Sequence, residues 1–487
     1  MLAASIAEDS NGISGNTACK GIAQVLKRLG FEVDYYHPAD VPASDETIYD
    51  ACIIPRTYAF SPFSQSDWAN GGKSYPVLLV YDDTVEKTGW SSGLASRTTG
   101  LTDETAVTTP DGDTVYFDTF STGVLKSETG LTALMTVDGG TYDGQVICWK
   151  DERAKTALGA DAGGASGSFV MRGMSTSTWL PQLLLFLNHA GLIAPTPQIY
   201  YIDFDDISGY VGDGVTGNTI ASLDGYATGL AALQSWALAQ DTIILGGLIT
   251  SDITSLNTAA ELDGVLEILQ DTDAFAHIMH DHTDDYWRTD TTYTTTALKI
   301  AKHDANIALW AAVGITANRG SYYGYSYLPW NAASTLGLQA MTRIGLTALR
   351  MSSLGTPGAA PCINSITRPI VDEDETVRQL AYRTMTSVMD YDTSLWTTTY
   401  WSGSDTAAKR YTWQQDEVTK QFFYPQQHIS FHPMNFMPNA DATETMPGLQ
   451  MLNELFLPYV RLAGSSIARF ATATDWQTVG QVRRRPG

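Results

Sequence analysis

Gln198-Ile199-Tyr200-Tyr201-Ile202-Asp203-Phe204-Asp205-Asp206-Ile207 decides how the chain is read. Ile199 to Ile202 is apolar without polar alternation, the pattern of a parallel strand covered on both faces. Three carboxylates then stand at its end. Pro195 and Pro197 punctuate the chain just before it, so a domain boundary is placed there. Downstream, strand and helix patterns alternate. A helix is read near Ala221 to Ala239, a strand over Thr242 to Ile249 and a helix near Ala259 to Leu269. A strand over Ala274 to Met279, a helix near Thr294 to Val313 and a strand-loop at Gly314 to Tyr327 follow. Several such units in one domain predict a (β/α) barrel over residues 196–487, with its chemistry at the strand C-terminal ends.

Upstream, residues 1–195 read as an open parallel-sheet α/β domain, flavodoxin-like or amidotransferase-like and without chemistry of its own. Short apolar runs at Leu2 to Ala7, Phe31 to Tyr36, Ala51 to Pro55 and Pro76 to Tyr81 are its strands. Thr17 to Leu29 has a helical apolar face of Ile22, Val25, Leu26 and Leu29, with Gly30 as its stop. From Ala106 to Trp149, Asp111-Gly112, Gly139-Gly140 and Asp143-Gly144 mark hairpin turns. The Ser10 to Thr17 turn is read as a helix cap rather than a phosphate cradle. Cys148 shows no His or Glu partners and is not read as a nucleophile.

The 487 residues carry 53 acidic and 29 basic side chains, a net charge of -24. Such a surface repels phosphates and anionic lipid, which argues against nucleic acid and membrane as partners. A hydrophobic share of 44% excludes a disordered chain. Cys19, Cys52, Cys148 and Cys362 form no CxxC pair, which excludes a zinc ribbon or a disulfide scaffold. No apolar run reaches membrane-spanning length. Nothing at Met1 to Asp9 resembles a signal peptide. The expectation is a protein that acts where it is made or leaves the cell as a virion component.

Four segments have the residue types for chemistry. Asp203, Asp205 and Asp206 at one strand end would repel one another unless a cation offsets them or one serves as a base; a polar turn is the plain alternative. Alternation puts Asp203 and Asp205 on one face and Asp206 on the other until the strand ends. His277, His280 and His282, with Asp281, Asp284 and Asp285, crowd one short segment. His and Asp together suit zinc or another first-row divalent ion. Asn318 to Gly324 holds Arg319, able to keep an Asp ionised, and backbone N–H groups able to meet an oxyanion. His428 to Pro433 is a short strand ending in His432, placed to act as a general acid.

In this order the segments resemble the polysaccharide deacetylases, the NodB-homology or family-four carbohydrate esterases. That family's Thr-Phe-Asp-Asp-Gly strand end is similar to Asp203-Phe204-Asp205-Asp206-Ile207. The resemblance implies Asp205 as the catalytic base and Asp206 as a metal ligand. The family's His-(Ser/Thr)-x-x-His motif finds His280 at its first position and Asp284 where the second His belongs. Asp284 substitutes as a ligand, His282 takes the role from a shifted loop, or the metal site is degraded. Arg319 to Gly324 is similar to the Arg-x-Pro-x-Gly loop, with one extra residue and no proline. Ala333 to Leu349 keeps the family's helix and Gly-led strand, and Phe431-His432 resembles its last motif.

The resemblance implies a barrel of the deacetylase type that removes N-acetyl or O-acetyl groups from a polysaccharide with a divalent metal, zinc first. Arg319 would position Asp205, Tyr322 and Tyr323 would supply the oxyanion contact, and His432 would protonate the leaving amine. Tyr286, Trp287 and the tyrosines after Arg319 are compatible with sugar stacking or with core packing. Two other readings stand beside it. One is a structural or glycan-binding phage-tail protein that keeps the fold, not the reaction, and associates with other virion proteins. The other is a glycoside hydrolase using two carboxylates.

Overall fold

A computed structural model describes residues 2–5, 17–36, 49–54, 76–80, 103–118, 131–151, 170–173, 178–207, 223–248, 250, 263–279, 286–315, 334–345, 348–352, 365–371, 377–387, 406–419, 422, 426–431, 447–472 and 474–475. The architecture is mixed α/β, with parallel and antiparallel strands. The chain forms two compact units. The first comprises Met1–Gln198, Thr398–Pro425 and Leu452–Arg469, and the second Ile199–Thr397, Gln426–Met451 and Phe470–Gly487.

In the first unit, β1 (Leu2–Ser5), β2 (Val33–Tyr36), β3 (Ala51–Ile54), β4 (Val77–Val80) and β9 (Val170–Gly173) pair in parallel. Helix α1 (Thr17–Arg28) follows β1 and buries Ile22, Val25 and Leu26. Gly30 ends it at φ 86°, and the Phe31 N–H returns to the Leu26 carbonyl at 3.0 Å. That six-residue closure needs a left-handed residue, which glycine adopts without strain.

The expected hairpins are β5 (Thr105–Thr108), β6 (Thr114–Phe117), β7 (Leu131–Val137) and β8 (Val146–Asp151). They do not form a separate layer. β8 pairs antiparallel with β9, so one nine-stranded sheet runs β2-β1-β3-β4-β9-β8-β7-β5-β6. The parallel strands and the hairpins read from the sequence thus share one mixed sheet. Hairpin strands pair locally through their turns, but only the β9 edge decides that they extend the same sheet. Helix α2 (Leu180–His189) completes the segment and is buried from Leu180 to Leu187.

Two later segments belong to this unit and are held by polar contacts. The helix Thr406–Trp413 widens into a π-turn over Gln414–Thr419. Fully buried Gln414 accepts a 2.9 Å hydrogen bond from the Tyr116 N–H and donates to the Leu455 carbonyl at 3.4 Å. Arg410 donates to the Tyr116 hydroxyl at 2.7 Å, and Arg461 pairs with Asp113 at 2.6 Å. Removing one partner of a buried hydrogen bond leaves the other unsatisfied, at about 1–3 kcal/mol. Gln414→Met is expected to destabilise the protein by that amount. An unchanged denaturant midpoint would show that the contact carries no weight.

In the second unit, β10 (Gln198–Ile207) is the expected strand, with Tyr200, Tyr201 and Ile202 all buried. Buried neighbours on successive residues mean that both faces are covered. The chain continues through α3 (Leu223–Ala239), β11 (Ile244–Leu248), α4 (Asp263–Leu269), β12 (Phe275–Met279), α5 (Thr296–Ala312) and α6 (Thr335–Arg343). It then forms β13 (Ala348–Ser352), β14 (Ser365–Val371), β15 (Val377–Ser387) and β16 (Gln426–Phe431). The strands run β12-β11-β10-β16-β15-β13, all parallel, with β14 antiparallel on β15. The first and last strands of this path in the chain, β10 and β16, thus lie side by side. Among the described residues β12 and β13 are not paired.

Candidate functional site

The parallel ladders bring several strand ends to one edge of the second sheet. Phe204 of β10 stands opposite Phe431, the last residue of β16, and opposite Gly246 of β11. Leu248, the last residue of β11, stands opposite both Ile207 and Met279, the last residues of β10 and β12. From Phe204 to Ile207, β10 advances three residues while β11 advances two, so β10 carries one extra residue at Asp205–Asp206. A bulge of this kind interrupts two-residue alternation and locally twists the strand. Strict alternation thus ends at the acidic pair.

Of the candidate residues, Asp205 and Asp206 are placed by their backbone, in this bulge. His280, His282, Asp284, Arg319, Tyr322, Tyr323 and His432 lie outside the described residues, as does the Ser10 to Asn16 turn. Among the described residues, no cluster of three or more His, Cys, Asp or Glu side chains is arranged to hold a metal ion.

His277, counted with the histidine-rich segment, belongs to the core. Its ring lies 6.0 Å from that of Phe275, and Nε2 is 2.5 Å from the Leu269 carbonyl. A carbonyl only accepts, so Nε2 holds the proton and donates. Nδ1 is buried with no hydrogen-bond partner. Burial pushes the imidazole down to about 4, against a smaller upward pull from the Leu269 carbonyl. Tyr286 and Trp287 are likewise core residues, 0% and 2% exposed. Their rings pack 4.4 Å apart, and Trp287 lies 5.5 Å from the His303 ring. The core reading therefore holds for both.

Sequence reasoning missed the polar inner face of α5. Thr296, Lys299, His303, Asn306 and Trp310 are buried, whereas Leu298 and Leu309 are 48% and 42% exposed. The helix is polar inside because its partners are polar loop atoms. Lys299 Nζ donates to the Tyr286 carbonyl, to the Thr289 carbonyl at 2.9 Å, and to Asp290 Oδ1 at 3.0 Å. An ammonium has three donors, and three acceptors are present. His303 Nδ1 lies 3.3 Å from the Tyr286 hydroxyl, and Trp310 Nε1 donates to Thr250 Oγ1 at 3.0 Å.

Ser334, the N-cap of α6, joins this network. Its Oγ accepts from the Gly337 N–H at 3.0 Å and donates its one proton to Asp290 Oδ1 at 2.6 Å. Its own N–H goes to the Trp287 carbonyl at 2.9 Å. Burial pushes the Asp290 carboxyl up, but the Ser334 hydroxyl and the Lys299 ammonium outweigh it and hold the group below its ordinary range. No motif in the sequence marks these residues.

In the first unit, burial pushes the Cys148 thiol far above its ordinary range.

No known protein-family pattern matches the chain, and no curated protein matches it. Solved structures share a broad likeness. A Mycobacterium smegmatis protein assigned as a polysaccharide deacetylase aligns at TM-score 0.37 and 9% identity, over 57% of this chain and 88% of its own. The polysaccharide deacetylase Bc1974 from Bacillus cereus aligns at TM-score 0.27 and 14% identity, over 56% and 91%. A β-galactosidase from Bacillus circulans sp. alkalophilus aligns at TM-score 0.29 and 8% identity, over 40% and 32%. Likeness at this level spans two enzyme classes and does not choose between them.

Proposed function

We propose that the second unit hydrolyses acetyl groups from a polysaccharide, N-linked first and O-linked second, on a sheet that closes as a (β/α) barrel. One observation carries the reading. β12, β11 and β10 end in register at one edge, β16 ends beside them opposite Phe204, and the acidic bulge Asp205–Asp206 directly follows that position. In the sequence, His280 directly follows Met279 of β12, and His432 directly follows Phe431 of β16. Parallel α/β sheets concentrate their chemistry at this edge.

In the proposed reaction, Asp205 takes a proton from the attacking water as the water oxygen bonds to the acetyl carbon. Backbone N–H groups near Tyr322 and Tyr323 meet the oxyanion that forms. His432 gives a proton to the departing amine as the C–N bond breaks, leaving acetate and a free amino sugar. Arg319 keeps Asp205 ionised and oriented. Asp206, His280 and either His282 or Asp284 are the proposed donors for a divalent ion, zinc first, which when bound would polarise the acetyl carbonyl. Acetylated glycan is the proposed partner, and no catalytic role is assigned to the first unit.

The test is acetate release from N-acetylated chito-oligosaccharide and from peptidoglycan, with divalent metal supplied and with chelator added. Loss of a general base lowers rates by about 10²–10⁴-fold. Asp205→Asn is expected to reduce turnover by that factor with an unchanged melting temperature. No acetate from the native chain on any such substrate would overturn the proposal. It would favour the competing reading, a glycan-binding virion protein, which draws on Asp284 standing where the second histidine of the resembled motif belongs.

A further inference from the structure

We propose that Lys299, Asp290 and Ser334 form a positioning bridge that couples residues 286–290 to the start of α6 in the second unit. The buried Lys299 ammonium grips residues 286–290, and Asp290 passes the contact to Ser334 at the start of α6. In the sequence, Tyr286 directly follows the His280 to Asp285 segment, and Ser334 closes the stretch that carries Arg319, Tyr322 and Tyr323. Lys299 thus holds residues 286–290 directly and Ser334 through Asp290, beside the bond that Ser334 makes to the Trp287 carbonyl. The network is fully matched: three donors on Nζ meet three acceptors, and the Ser334 proton meets a carboxylate. It explains why α5 buries its polar face and leaves Leu298 and Leu309 outside. The bridge touches no reacting atom. Its functional meaning rests on the deacetylase reading, whereas the coupling of residues 286–290 to Ser334 does not.

The experiment uses the full chain. Asp290 is 44% exposed, so Asp290→Ala removes the bridging acceptor without opening the core. Hydrogen exchange is followed in peptides covering 280–290 and 316–337, with α3 and β11 as internal references. Asp290→Ala is expected to speed exchange in both peptides while the references stay unchanged, because local opening is governed by local contacts. Asp290→Asn keeps an acceptor oxygen and is expected to restore much of the protection. Misplacement of about 1 Å at a site is enough for about 10²-fold in rate. Acetate release by Asp290→Ala is accordingly expected to fall by about 10–100-fold in kcat with KM little changed. Faster exchange in 280–290 alone would overturn the coupling, as would a uniform rise that includes the references. If the native chain releases no acetate, the functional reading fails, and the exchange result still decides whether the bridge couples residues 286–290 to Ser334.

Discussion

Gly337→Ala is expected to destabilise the second unit by about 4 kcal/mol or more, enough to unfold many domains. A methyl group on Gly337 would lie 2.0 Å from the Trp287 carbonyl oxygen and 2.9 Å from its carbon. Neither is the free end of a side chain. The Trp287 carbonyl accepts the Ser334 N–H at 2.9 Å, and the Trp287 ring is buried between Tyr286 and His303. Relief would require moving the loop, the helix cap or the ring, and each is tied to the Lys299 network. Gly264, in α4, supplies the control, because a methyl group there meets nothing within 4 Å. Gly264→Ala is expected to be neutral or to stabilise by about 0.5–1 kcal/mol, since alanine is the better helix former. Denaturant unfolding of the two variants side by side checks both. Equal midpoints would mean that Trp287 and α6 do not meet as described.

Acidification is expected to remove roughly 3 kcal/mol of stability through His277, at about 1.36 kcal/mol for each pH unit separating two pKa values. The folded imidazole lies at about 4, against an ordinary 6.5. Between those values the unfolded chain binds a proton that the folded chain refuses. Stability therefore rises with pH across this window and is lost as pH falls from about 6.5 towards about 4. The cause is burial: Nε2 already donates to Leu269, and Nδ1 is enclosed with no acceptor for a second proton. His277→Gln retains an amide donor for the Leu269 carbonyl and does not titrate. Its stability is expected to vary less with pH than the native chain's between pH 4 and 6.5, by roughly the same 3 kcal/mol. Parallel pH profiles for the two proteins would show that His277 is not the group responsible.

The legible parts of this protein are those governed by neighbours in the chain. The apolar run at Ile199 to Ile202 makes a buried strand, and Gly30 ends its helix because a left-handed residue is required there. The turns in the 106–149 region give antiparallel pairs because a short turn forces its strands together. The candidate site was legible as residue types, carboxylates at a strand end and histidines after another, but not as an arrangement. His277 and His280 look alike in the sequence. Its burial and its contacts with Phe275 and Leu269 identify His277 as a core residue.

What the tertiary structure alone decided depends on partners far apart in sequence. Residues 398–425 and 452–469 join the first unit through Gln414 and Tyr116, which are 298 residues apart. The hairpins extend the parallel sheet because β8 finds β9. The extra residue at Asp205–Asp206 exists only relative to β11, since a bulge is a mismatch between two strands. The polar inner face of α5 is enclosed because carbonyls and a carboxylate of residues 286–290 meet Lys299 and the Tyr286 and Trp287 side chains meet His303. Local propensity and periodicity fix which segments become strands and helices. Hydrogen bonding between distant segments fixes their order, their register and which polar groups are enclosed, and periodicity carries no record of those partners.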